Sequence, residues 1–345
     1  MNYIEDQFAG NIYRKEYLDG LLRYIENEKE AMRVARDEYM ADFPHGIKKR
    51  RNDFKKMLGC PLAYKPDGLP QVERSLIHSE KNCSVYRMQI EVLPGVKFYG
   101  ILLVNGASSI EAAPIKPLVI VKHGYLGCPE VAAGLFGNTG NYNNLGMRIF
   151  SRGVHIFAPQ TLTWYSKEYP DYGNPFDHLH IDSRLRQHGS SITAVELSAM
   201  SRSLDYILST GITDEKHIGM AGLSYGGFYA LFMAAADTRI KSAITCAVFN
   251  DREKYVWQEW DWFGSSRKLL DAEIGALVYP RHLHIIVPDH DELFEAAPAQ
   301  AEFDRLKDYY ARGGLEQNLS FRIFSGVHEY PVDDDEINMM IAEIT

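Results

Sequence analysis

Four cysteines in 345 residues, none spaced Cys-x-x-Cys, are too few and too scattered for a disulfide framework or a thiolate metal site. Cys60, Cys83, Cys128 and Cys246 fit a reducing compartment, so a cytoplasmic location is expected. No window approaches 18 consecutive apolar residues, which excludes a helical membrane span. The first residues, MNYIEDQFAGNIYRKEY, lack the basic and apolar regions of a signal peptide. Basic charge is scarce too: 37 Lys and Arg against 46 Asp and Glu leave a net charge of −9, which argues against nucleic acid as a partner. Nor is there a G-x-x-x-x-G-K-[ST], a G-x-G-x-x-G opening a helix after a strand, or an H-E-x-x-H. No cofactor and no metal is therefore expected, and no membrane partner.

The chain is 46% hydrophobic and 24% charged, the balance of a globular protein long enough to bury its core without staples. Residues 1–80 read as a helical N-terminal extension and 81–345 as the main domain. In the extension, Tyr17, Leu21, Leu22 and Ile25 draw one stripe down a helix, and a second amphipathic stretch covers 47–58. Its run Lys48-Lys49-Arg50-Arg51 reads as a solvated helix face. From residue 85 the texture changes. Segments 85–93 and 96–104 are β-rich and meet at Pro94-Gly95, as in a hairpin. A continuous apolar run follows at 117–122, as a fully buried strand shows. Beyond it strands at 154–159, 218–222, 243–249, 282–287 and 319–324 alternate with helices at 143–151, 191–209, 225–236, 298–312 and 336–344. That alternation implies βαβ crossovers, and hence an eight-stranded, mostly parallel sheet with helices on both faces.

The strongest chemical signal is Gly222-Leu223-Ser224-Tyr225-Gly226-Gly227, a G-x-S-x-G where an apolar strand meets an apolar helix. A serine in so tight a turn needs neighbours without Cβ, and the helix that follows aims its first N–H groups at a developing oxyanion. A serine hydroxyl also needs a base, oriented by an acid. In this architecture the acid follows the penultimate strand and the histidine follows the last one. Of the later histidines, His282 and His284 alternate inside a strand and His290 comes too early. His328, in Ser325-Gly326-Val327-His328-Glu329, is the expected base. After the strand ending at Val287, Asp291 is preferred as the acid because the loop can curl back there. Asp289 reads rather as the turn residue opening that loop, and Glu292 is a third choice. The second oxyanion donor should come from His123-Gly124-Tyr125-Leu126-Gly127, so that the N–H groups of Tyr125 and Tyr225 bind the tetrahedral oxygen.

An aromatic-rich insertion, about 250–275, holds three of the four tryptophans. Trp260 in it, and Trp164 in the loop after 154–159, are candidates for the substrate pocket. Asp177, His178, His180 and Asp182 cluster within FDHLHID but read as loop polarity rather than a metal site.

Taken together, these residues resemble the α/β-hydrolase superfamily. Within it they look like the acetyl xylan esterase-like branch related to dienelactone hydrolase. The matching features are His123–Gly127, the elbow around Ser224, and Leu277-Val278-Tyr279-Pro280-Arg281 leading into the acid strand. Asp291 falls at the family's acid position and His328 at its base position. Pro288 stands where the family usually has glycine, and Tyr279 where alanine is common. The resemblance spans about residues 80–335 and implies a serine carboxylesterase without cofactor, acting on small-molecule esters and often on short acyl esters of carbohydrates. A homo-oligomer is compatible with it. Two rivals remain: a serine peptidase or amidase of the prolyl oligopeptidase-like type, and a non-catalytic ligand-binding protein on the same fold.

Overall fold

The computed structural model describes residues 2–64, 67–162 and 175–345. The chain opens with α1 (Asn11–Tyr39) and α2 (Ile47–Leu58), then the antiparallel strands β1 (Val72–Glu80), β2 (Cys83–Leu93) and β3 (Val96–Asn105). There follow β4 (Leu118–Lys122), α3 (Pro129–Ala132), α4 (Leu145–Phe150), β5 (His155–Pro159), α5 (Pro175–Gln187), α6 (Ile192–Ser209) and β6 (Ile218–Leu223). The rest is α7 (Tyr225–Ala236), β7 (Ser242–Cys246), α8 (Asp271–Ala276), β8 (His282–Pro288), α9 (Ala296–Arg312), β9 (Leu319–Phe324) and α10 (Asp335–Ile344). The sheet order is β1-β2-β3-β5-β4-β6-β7-β8-β9, parallel from β5 through β9.

Side chains leave a strand alternately on its two faces, and both faces of this sheet are buried. Leu118 and Ile120 join the core beneath α2, α6, α7, α8 and α9, while Val119 and Val121 join the one beneath α3, α4 and α10. α7 sits at the centre of the larger core, and every one of its twelve residues is buried.

Among the described residues the sheet has nine strands where the sequence suggested eight. The added strand, β1, pairs with β2 at the sheet edge and leaves nearly all its side chains exposed, so it carries no apolar alternation to read. It also places a strand in the last part of segment 1–80. The FDHLHID stretch, read as loop, lies within the helix α5. In the basic run only Lys48 and Lys49 face solvent. Arg50 is buried, donating to the Tyr39 carbonyl at 3.0 Å through Nε and to the His45 carbonyl at 2.5 Å, and paired with Asp42. Arg51 reaches across to the Leu277 carbonyl at 2.8 Å and to that of Tyr279. These two arginines satisfy carbonyls at the end of α1 and beyond α8, and so tie the N-terminal helices to the body.

At the N-terminal ends of β7 and β8, opposite the elbow, Glu343 of α10 accepts hydrogen bonds from His284 Nε2 at 2.8 Å and Ser242 Oγ at 2.7 Å. His282 Nδ1 lies 2.9 Å from its other oxygen. Burial by itself would raise this carboxyl, but the histidines and the serine more than offset it and lower it to about 2. A carboxyl lowered on folding stabilises the native state above its ordinary value and loses that contribution as pH falls through the folded value. Urea unfolding should therefore show Glu343→Gln destabilised by on the order of 2 kcal/mol at pH 7, with the gap to the parent closing between about pH 4.5 and pH 2. An unchanged gap across that range would separate Glu343 from the effect.

Candidate active site

Ser224 has φ 59° and ψ −124°, a conformation that a residue with a Cβ rarely adopts and that costs on the order of 1–3 kcal/mol. Its surroundings impose this conformation. A Cβ on Gly222 would lie 2.2 Å from the Gly226 carbonyl oxygen, and one on Gly226 would lie 2.2 Å from that of Lys122. One on Gly227 would lie 2.7 Å from the Cys246 carbonyl oxygen. β6 can thus turn into α7 only with bare backbone on both sides of the serine. The Ser224 N–H donates to the Cys246 carbonyl at 2.8 Å, and the Phe228 N–H closes the first helical turn on the Ser224 carbonyl at 2.9 Å.

Beside it, at the end of β4, lies the turn 123–127. A Cβ on Gly124 would sit 3.4 Å from the Ser224 Cβ, so the turn and the serine are neighbours. His123 is buried, and burial followed by the Lys122 charge holds its imidazole well below the usual value, hence neutral. The tautomer follows: Nδ1 carries the proton and donates to the Gly124 carbonyl at 2.7 Å, while Nε2 accepts the Thr161 N–H at 3.1 Å. The Gly124 N–H donates to Tyr142 Oη at 2.6 Å. Among the described residues, the N–H groups of Tyr125 and Tyr225 have no hydrogen-bond acceptor.

The Asp291 and His328 side chains meet. His328 Nδ1 lies 2.9 and 3.0 Å from the two carboxylate oxygens of Asp291, whose side chain is fully buried. Asp291 Oδ1 also accepts the N–H groups of Leu293 at 2.8 Å and Phe294 at 3.3 Å, which fix its rotamer. The other two acids of this loop have different partners. Asp289 accepts the Gly326 N–H at 3.0 Å and holds His290 Nδ1 at 2.5 Å, bracing the β8 loop against the β9 loop. Glu292 accepts the His328 N–H at 3.4 Å.

The segment 139–148 supports the histidine loop from the α3, α4 and α10 face of the sheet. Asn141 donates to the His328 carbonyl at 3.0 Å, Asn143 donates to the Tyr330 carbonyl at 2.6 Å and to Glu329 at 3.1 Å, and the Tyr330 N–H returns to the Asn141 carbonyl at 2.8 Å. Arg148 donates to the Pro331 carbonyl at 2.7 Å and pairs with Asp334 at 2.7 Å. No motif announces these residues, since their partners are more than 180 positions away.

The candidate pocket residues fare differently. Trp260 is only 4% exposed and lies within an aromatic stack, 5.8 Å from Tyr225, 5.1 Å from Phe228 and 4.4 Å from Trp257, with Arg252 over its face. It packs in the core. Among the described residues, Trp257 borders the 123–127 turn, half-buried and edge-on to Tyr125 at 6.2 Å. The opposite flank carries Phe294, 6.1 Å from the His328 ring. Trp164 and the side chain of Asp177 lie outside the described residues. Asp182 accepts the Ile192 N–H at 2.8 Å at the head of α6 and pairs with Arg186, and His178 Nε2 lies 3.5 Å from Tyr225 Oη. Beneath the turn, burial lowers Lys122 to about 7 and raises Glu196 to about 7, where it accepts the Leu162 N–H at 2.6 Å.

No protein-family model and no curated protein matches the sequence. Solved structures do. A candidate acetyl xylan esterase from Bacteroides fragilis superposes with a TM-score of 0.63 at 14% identity, over 85% of this chain and 81% of that one. A glucuronoyl esterase from Solibacter usitatus gives 0.60 at 14% identity, over 86% and 92%. Methylesterase BT1017 gives 0.58 at 17% identity over 93% of this chain, which spans 66% of that protein's length. The chain has the α/β-hydrolase fold of these esterases.

Tyr142 offers a test of the turn's geometry. Tyr142→Phe strands the buried Gly124 N–H, a loss of about 1–3 kcal/mol. If the turn positions a reacting group, kcat should fall roughly tenfold or more with KM little changed. Unaltered kcat in a destabilised variant would make Tyr142 a packing residue only.

Proposed function

We propose that this protein is a serine carboxylic ester hydrolase. The observation that carries the proposal is the Asp291–His328 hydrogen bond at the same end of the sheet as the strained Ser224. In the reaction, Ser224 Oγ attacks the ester carbonyl while His328 Nε2 takes its proton. The buried Asp291 holds the Nδ1 proton and so keeps the imidazole in the tautomer that can accept. The N–H groups of Tyr125 and Tyr225 receive the tetrahedral oxyanion, each donor being worth roughly 3 kcal/mol. His328 then returns its proton to the leaving alcohol, and water activated by the same imidazole hydrolyses the acyl-enzyme. No cofactor enters.

For substrate we infer short acyl esters, acetyl above all, of carbohydrates or other small molecules. Support comes from the esterases that share this fold and from the aromatic edge at Tyr125 and Trp257, the kind of surface on which a sugar ring stacks. Among the described residues, no helix is long and apolar enough to cross a membrane. The four cysteines are unpaired, which supports our placing of the enzyme in the reducing cytoplasm.

Initial rates on p-nitrophenyl esters from acetyl to dodecanoyl test the reading. Acetate should be preferred, and Ser224→Ala should lower kcat by about 10⁴ or more with the fold intact. Asp291→Asn should cost about 10⁴ and Asp289→Asn less than about tenfold. Full activity in Ser224→Ala refutes the assignment. Turnover of aminoacyl anilides without turnover of esters makes the protein a peptidase, and binding without turnover makes it a receptor.

A further inference from the structure

Only the second half of α1 packs on its own domain. Arg36 is buried and donates to the Ser266 carbonyl, whereas nearly every residue from 11 to 27 is exposed. One face of that free half is apolar. Leu18, Leu21, Leu22 and Ile25, flanked by Tyr17 and Tyr24, are 41–71% exposed on one side of the helix. At 100° per residue, Arg14, Leu18, Leu21, Ile25, Glu28 and Met32 form a single seam. With the full areas of such side chains, the six exposed residues leave roughly 600–700 Å² bare, above the roughly 300–600 Å² of the largest patch on an ordinary monomer. The exposed Tyr3, Ile4 and Phe8 ahead of the helix add roughly 400–450 Å², so the total exceeds the roughly 800 Å² per partner of a standard interface.

The geometry points to a second copy of this chain as the occupant, paired antiparallel through α1 about a two-fold axis at Leu21. The charges of the seam set the direction. Arg14 lies seven residues before Leu21 and Glu28 seven after, about 10 Å to either side. An antiparallel pair therefore sets each Arg14 against Glu28 of the partner subunit, whereas a parallel pair sets like charge against like. Arg14 is otherwise held only by the Gln7 carbonyl and Asn11 Oδ1, and Glu28 has no ion-pair partner among the described residues.

The same register explains a cavity. Between α1 and the 252–271 segment lies a hollow of about 410 Å³, walled by Ile25, Glu28 and Met32 on one side and by Val256, Trp262 and Leu269 on the other. Residues 8–13 of an antiparallel partner fall opposite 29–34, at the mouth of that hollow. Phe8, bare in the single chain, gains an apolar seat there. Each copy thus fills the other's cavity, which is how an isologous interface closes on itself. The inference does not depend on the proposed ester chemistry.

Sedimentation velocity from 1 to 50 µM, with circular dichroism as the fold control, tests it. The parent should sediment as a dimer of the 39.3 kDa chain. Leu21→Glu should yield the monomer with unchanged helicity. Arg14→Glu and Glu28→Arg should each weaken dimerisation at least about fivefold, and the double variant should recover it. A monomeric parent overturns the proposal, even one that binds anionic lipid vesicles, and so does a dimer indifferent to Leu21→Glu. Failure of the double variant to recover overturns the antiparallel register, and recovery supports it whether or not Leu21→Glu folds.

Discussion

The structure depends on backbone meeting backbone around Ser224. Gly222, Gly226 and Gly227 each touch main-chain atoms at distances no Cβ permits, and that contact locks β4, β6, β7 and α7 together. The serine's left-handed φ follows from the packing and is sustained by it. An all-apolar α7 suits this arrangement, because a helix buried on every side loses far more on shifting than the strain at one residue can recover. The position of Ser224 is thus set by a helix buried along its whole length.

The opposite partner is held differently. His328 sits on a loop, and loops are free unless tied. Here three carboxylates divide the work: Asp291 fixes the ring, Glu292 meets the backbone N–H, and Asp289 clamps Gly326. From the far side, Asn141, Asn143 and Arg148 satisfy the carbonyls of the same loop. On the proposed reading, an elbow fixed by packing and a loop braced from two sides need no rearrangement to react, which is where positioned catalytic groups gain their advantage.

Much of this was legible in the chain. The Ser224 elbow is local, and strand–glycine–serine–helix leaves few alternatives. The segments 47–58 and 319–324 coincide with α2 and β9, because their apolar residues recur with the period of the element they form, and 225–236 coincides with α7 as a continuous apolar run after the elbow. What was illegible has physical reasons. β1 is an edge strand held by main-chain pairing, so its side chains show no pattern. Arg50 and Arg51 look like a solvated run, yet they bind carbonyls, some more than 220 residues away. Trp260 looks like a pocket wall because aromatics serve both cores and sites, and its stack with Trp257, Phe228 and Tyr225 carries no signal in the sequence. Tyr142, which holds the 123–127 turn, carries no motif at all.

The central claim is that Ser224 is a nucleophile activated by its surroundings. The direct measurement is reaction with a p-nitrophenyl alkylphosphonate, which captures an activated serine as a stable tetrahedral adduct, followed by peptide mass mapping. The account predicts one phosphonyl group per chain, on the peptide carrying Ser224, with stoichiometric release of p-nitrophenol and slow labelling once His328 is replaced by alanine. An unlabelled chain, or a label on another residue at equal rate, would contradict it.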